Sequence, residues 1–114
     1  MMRFRTACAI GALAAAGLLA PAAWADPDGA ALYTKHCASC HGADGRGGTP
    51  AGKALQVKDL ATARWASATA VPEIEKAVRD GVPRMPPLAS KLTADEISAV
   101  ARHTRQMAAD GLKP

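Results

Sequence analysis

Apolar positions along this chain recur at helical spacing, and nowhere do they alternate as a half-buried strand would. In the last third, Ile97, Val100, Ala101, Thr104, Met107 and Ala108 share one face at i, i+3, i+4 and i+7. Thr93 and Glu96 ahead of them make a capping-box pair, so a helix is predicted to open there. An earlier stripe of Ile74, Ala77 and Val78 lies between Pro72, suited to a helix opening, and Gly81, suited to its close. Glu73 and Glu75 stand near the positive end of that helix dipole. Leu32, Tyr33, His36 and Cys37 repeat the spacing, with Asp26 the predicted N-cap and Pro27 the first helical residue. "DLATARWASA" predicts a short helix around Trp65. Two stretches read as irregular: "HGADGRGGTPAGKAL", with five glycines and a proline, and "VPRMPPLASKL", where three prolines forbid a helix. The pattern predicts one all-α domain without internal repeats.

The first 25 residues stand apart. A basic start through Arg5 leads into an uncharged apolar run from Thr6 to Ala20, Pro21, and then small residues at Ala23 and Ala25. This is the order of a secretory signal peptide, residues 1–25, with cleavage before Asp26 and a domain over 26–114. The run falls short of the roughly 20 apolar residues that span a bilayer. Cleavage removes Arg3 and Arg5, so that 12 of the 14 Lys and Arg remain against 10 Asp and Glu. Those 12 are scattered, which leaves no basic stripe for nucleic acid. Export also predicts a periplasmic location with no stable membrane association. Removing 25 of the 114 residues leaves 89, too few for much core of their own, and with no disulfide framework to compensate. A bulky cofactor is expected to complete the interior.

Cys8 leaves with the signal, so both remaining cysteines lie in "CASCH", Cys37 to His41. A structural zinc site wants four ligands, commonly two separated pairs, and adjacent Cys40 and His41 diverge on a helix. Thiol–disulfide exchange at C-x-x-C expects a βαβ context, and no strand is visible. C-x-x-C-H is also the attachment motif of c-type haem. Two thioethers from Cys37 and Cys40 anchor one edge of the porphyrin, and His41 then lies over the iron as proximal ligand. Attachment outside the cytoplasm agrees with the export signal, so one covalently attached haem c, with its iron, is the expected cofactor.

For the sixth iron position, Met85 and Met107 are the methionines left after cleavage. Met107 belongs to the apolar stripe and is expected to pack in the core. Met85 stands between prolines in "PRMPP" and is the expected distal ligand, with His103 as the alternative. His36, next to Cys37, cannot reach the far side of the ring.

With Gly29 and Tyr33, "CASCHG", the glycine-rich loop, "DGVPRMPP" and "LTADEISAV" in this order, the chain resembles a small monohaem class I c-type cytochrome over nearly all of residues 26–111. The resemblance implies the small cytochrome c fold: three to five helices packed around one haem, with the N- and C-terminal helices crossing. It implies that Gly29 lets the last helix pass closely, with Tyr33 at the crossing. It further implies that the Pro50 carbonyl accepts from Nδ1–H of His41 and that Trp65 bonds a haem propionate. The family usually carries an aromatic residue on the last helix at the crossing, where this chain has His103.

Ligation by His41 and Met85 fills both axial positions and raises the reduction potential. The expected function is therefore that of a monomeric periplasmic electron carrier and not an enzyme, meeting protein redox partners transiently. The alternatives are a haem subunit of a dehydrogenase or reductase complex, and a haem protein whose methionine dissociates to bind or sense a small ligand.

Overall fold

The computed structural model describes Gly11 and residues 26–111, and among them the chain forms six helical segments and a single isolated β-bridge. The predicted signal peptide lies, apart from Gly11, outside the described residues. The helix α1 (Gly29–His36) is capped by Asp28, whose carboxylate accepts from the Ala31 N–H at 3.1 Å. The expected cap at Asp26, with Pro27 first in the helix, is thus two residues early. Gly29, the first helical residue, is also where the two backbones touch: a Cβ on it would overlap the Ala99 carbonyl and stand 2.9 Å from His103 Cβ. The passing helix is α6 (Ala94–Gly111), and the crossing is that of the N- and C-terminal helices. His103 occupies it, its ring tilted 54° to that of Tyr33 with centroids 5.6 Å apart.

Cys37, at φ −118°, breaks α1 from the one-turn helix α2 (Ala38–His41), which carries the rest of the motif. The chain then enters the stretch expected to be one long loop, and part of it is helix: α3 (Pro50–Leu55). Thr49 caps it by accepting from the Gly52 N–H at 2.9 Å, and Pro50 takes the first helical position, where a missing N–H costs nothing. The segment is too short to show periodicity, and its glycines concealed it. The expected helix around Trp65 is present as α4 (Ala63–Ala68), capped by Thr62. Helix α5 (Val71–Asp80) buries Ile74 and Val78 and packs against α6, which buries Ile97, Val100, Ala101, Thr104 and Ala108. Of the six segments, α2 is a single turn and α3 was not expected; the other four fall within the three to five expected.

The capping box of α6 forms in both directions: the Thr93 N–H donates to Glu96 Oε1 at 3.0 Å, and the Glu96 N–H to Thr93 Oγ1 at 3.2 Å. The backbone N–H and then the hydroxyl of Thr93 hold the Glu96 carboxyl below the usual range. A lowered folded pKa means the contribution is complete above the unfolded value and is lost as pH falls through the folded one. Thr93→Ala is expected to cost about 1 kcal/mol in chemical unfolding at neutral pH, and less once acid has protonated Glu96.

Candidate functional site

Between α1, α3, α4, α5 and the proline-rich segment lies a cavity of about 590 Å³, within the range of cofactor pockets. Its walls are largely apolar, with Leu60, Trp65, Ile74, Val78 and Val82 among them. Cys37, His41 and Met85 all line it. The core around this space is thin: Val100 is the largest described side chain with exposure below 2%.

The motif is held from several sides. Tyr33 Oη donates to the Gly42 carbonyl at 2.7 Å, one residue beyond His41. Burial above all pushes the Tyr33 pKa up, so the phenol keeps this donor proton at ordinary pH. Gly42 stands at φ +78°, a left-handed turn that ends α2 directly after the histidine. The Gly47 N–H closes back onto the His41 carbonyl at 2.7 Å. Thr49 Oγ1 lies 2.7 Å from the Ser39 carbonyl and 3.1 Å from that of Cys40, and so ties the start of α3 to the motif. Neither this role of Thr49 nor α3 was read from the sequence; the Thr-Pro pair before "AGKAL" was the available signal.

Burial lowers the His41 pKa, against a smaller opposing effect of the Lys58 backbone, and this favours a neutral imidazole. His41 Nδ1 is buried without a hydrogen bond of good geometry. Pro50, expected to offer its carbonyl to Nδ1, makes no such bond; it is fixed as the first residue of α3, and the backbone group that acts on the ring is at Lys58. Burial, and secondarily the charge of Cys40, push the Cys37 thiol up to about 11. Both cysteines are free, Cys37 buried and Cys40 half-buried. A thiol with a raised pKa is a poor nucleophile, which weighs against disulfide exchange. Among the described residues no cluster of three or more His, Cys, Asp or Glu is placed to hold a bare metal ion.

Across the cavity, Gly81 at φ +76° ends α5 and lets the chain fold back. A Cβ there would meet the Met85 carbonyl at 2.8 Å and the Pro87 nitrogen at 2.9 Å. Val82 and Met85 exchange backbone hydrogen bonds of 3.1 and 2.9 Å, so Met85 closes a tight turn at the cavity wall. Met107 does not share this space; it is half-buried and lines a separate cavity with Asp44, Arg46 and His103. Trp65 lines the main cavity, Cys40 and Pro50 do not, and His103 stands at the helix crossing.

A helical shell around an apolar cavity, with Cys37 and His41 of C-x-x-C-H on one wall and a methionine on another, defines a small c-type cytochrome. Residues 25–103 match the family model described as cytochrome c oxidase, cbb3-type, subunit III, and the chain belongs to this family. It is 34% identical over 84 residues to cytochrome c6 of Microcystis aeruginosa, covering 74% of this chain and 99% of that protein. Among solved structures it is similar to the KustC0563 c-type cytochrome, at 35% identity and a TM-score of 0.66, over 71% of this chain and 98% of that one. A tyrosine-to-phenylalanine mutant of that cytochrome gives 34% identity and a TM-score of 0.65, over 71% and 99%. The cofactor is accordingly covalently bound haem c with its iron, and the chain is a haem electron carrier. The site fits that group: the cavity is apolar, the imidazole on its wall is favoured in its neutral form, and a buried thiol lies on the same wall.

Proposed function

We propose that the protein is exported, cleaved before Asp26, and shuttles single electrons between partner proteins in the periplasm. In this reading Cys37 and Cys40 form the thioethers, and His41 and Met85 are the two axial ligands. One observation carries it: of the two described methionines, Met85 shares a cavity with His41 and Cys37, and Met107 does not. When bound, the haem iron supplies one-electron exchange between ferrous and ferric states. With His41 and Met85 both holding the iron, oxygen or peroxide would find no open site, and the thioether would favour the ferrous form. In this reading Trp65, which lines the cavity, would meet a propionate.

Leu55 and Val82, the large hydrophobic residues that stay exposed among those described, at 40% and 48%, both line the cavity, as do exposed Lys58 and Arg84. An apolar edge with basic neighbours suits brief docking of a partner with an acidic surface. No described helix is long and apolar enough to cross a membrane. The family description favours, as a second reading, a fixed place in a respiratory complex; copurification with an oxidase from native membranes would support it over a free carrier.

Redox titration of the exported protein under carbon monoxide tests the proposal. A carrier with both axial positions filled titrates as a one-electron couple whose midpoint does not move with the gas. A midpoint that climbs with carbon monoxide pressure at neutral pH would instead reveal a ligand-binding haem protein.

A further inference from the structure

Val82, Pro83, Arg84 and Met85 form a four-residue turn closed by the Met85 N–H on the Val82 carbonyl. Pro83 holds a negative φ at the second position and Arg84 has φ +69° at the third, which together fit a type II turn. That third position favours glycine or asparagine, and arginine there is disfavoured. The side chain supplies a reason for its presence. Arg84 Nη1 reaches back to the end of α3, donating to Gln56 Oε1 at 3.1 Å and to the Leu55 carbonyl at 3.3 Å. Gln56 is itself left-handed, at φ +52°, as the C-cap of α3. These are the two non-glycine residues with positive φ among those described, and they are the two ends of one contact. Leu55, Gln56, Arg84 and Met85 all line the same cavity, so the contact ties two of its edges together.

We propose that Arg84 is a positioning residue: its guanidinium pins the Met85 turn to the end of α3 and thereby holds the Met85 sulfur in place for the iron. The proposal rests on Met85 being the distal ligand. The left-handed backbone of Gln56 is that of the α3 C-cap and that of Arg84 is set by the turn, so the side-chain contact joins two already fixed points, the end of α3 and the Met85 turn. The bond is exposed and one of its acceptors is a neutral amide, so it biases the turn and does not lock it.

Imidazole binding to the ferric holoprotein measures that bias. Imidazole takes the sixth position only when Met85 is away, so its apparent affinity scales with the open fraction. Arg84→Asn keeps a residue that tolerates a left-handed backbone and cannot reach α3. It is expected to bind imidazole roughly tenfold more tightly, as the open fraction grows in proportion, and to lose the ferric sulfur-to-iron band at lower pH, with thermal unfolding little changed. Arg84→Lys, which restores reach and charge, should recover part of the wild-type affinity. Gln56→Asn should act in the same direction, and the double variant should show less than the sum of the two, as sharing one contact requires. Wild-type imidazole affinity in Arg84→Asn would overturn the proposal, as would full additivity in the double variant. Met85→Ala separates the two levels. If it keeps the sulfur-to-iron band, the ligand assignment fails and the role of Arg84 fails with it. If it loses the band while Arg84→Asn behaves as wild type, only the role of Arg84 fails.

Discussion

Met85→Ala is expected to abolish the ferric sulfur-to-iron band, lower the reduction potential on the order of 0.1 V or more, within the ~0.8 V that axial ligation spans, and open the ferrous protein to carbon monoxide. The direction follows from chemistry: a thioether stabilises ferrous iron, and its loss leaves the oxidised state favoured. The size follows from geometry, because no second methionine among the described residues lines the Met85 cavity. Met107 lies in a different cavity, lined by Asp44, Arg46 and His103. Met107→Ala is therefore the paired control, expected to keep both band and potential and to lose only packing. A Met85→Ala protein with wild-type spectrum and potential, or a Met107→Ala protein without the band, would exchange the roles of the two methionines. Stability should not separate the two in the same way, since both methionines are half-buried and both pack against the core, Met107 with its Cε 2.9 Å from where a Cβ on Gly45 would stand.

The elements legible in the sequence were those whose signals are local. The Thr93–Glu96 box, the stripe of α6 and the Gly81 stop of α5 each lie within a few residues of the structure they specify, and all three stand. Most of what the sequence concealed was decided by contacts far along the chain. Asp26 and Asp28 are equally good caps by residue type, and it is Asp28 whose carboxylate meets the Ala31 N–H. Helix α3 has six residues, too few for a periodic stripe, and it is held by Thr49 reaching the carbonyls of Ser39 and Cys40. Whether a backbone carbonyl meets His41 Nδ1 depends on where the chain passes the ring. The first proline after the motif is the choice from sequence, but Pro50 opens α3 and Nδ1 is left without a hydrogen bond. The contact between Arg84 and Gln56 spans 28 residues and rests on two backbone conformations that neither residue type announces.

Gly52 shows how tightly the concealed part is coupled to the motif. Gly52→Ala is expected to cost about 3 kcal/mol, the upper end for overpacking, and to lower the melting temperature of the holoprotein by roughly 12 °C or more. A Cβ there would overlap the Cys40 carbonyl and stand 2.5 Å from the Gly47 oxygen, and both are backbone atoms that cannot swing aside. Nor can either segment shift freely. The Cys40 carbonyl faces the Thr49 hydroxyl at 3.1 Å, Gly47 donates to the His41 carbonyl at 2.7 Å, and Gly52 itself accepts from the Val57 N–H at 3.0 Å. Relieving the overlap means prying α3 from the motif, so lost stability and disturbed haem attachment should appear together, the second as a smaller yield of protein carrying both thioethers. Helix propensity works the other way, since alanine gains up to about 1 kcal/mol over glycine inside a helix, and only a steric origin can outweigh it. Gly48→Ala provides the comparison within the same loop: no atom lies within 4 Å of its Cβ position and its φ is not left-handed. That change should stay within about 0.5 kcal/mol of wild type. Equal tolerance of alanine at positions 48 and 52 would mean that α3 is not clamped to the haem-attachment turn.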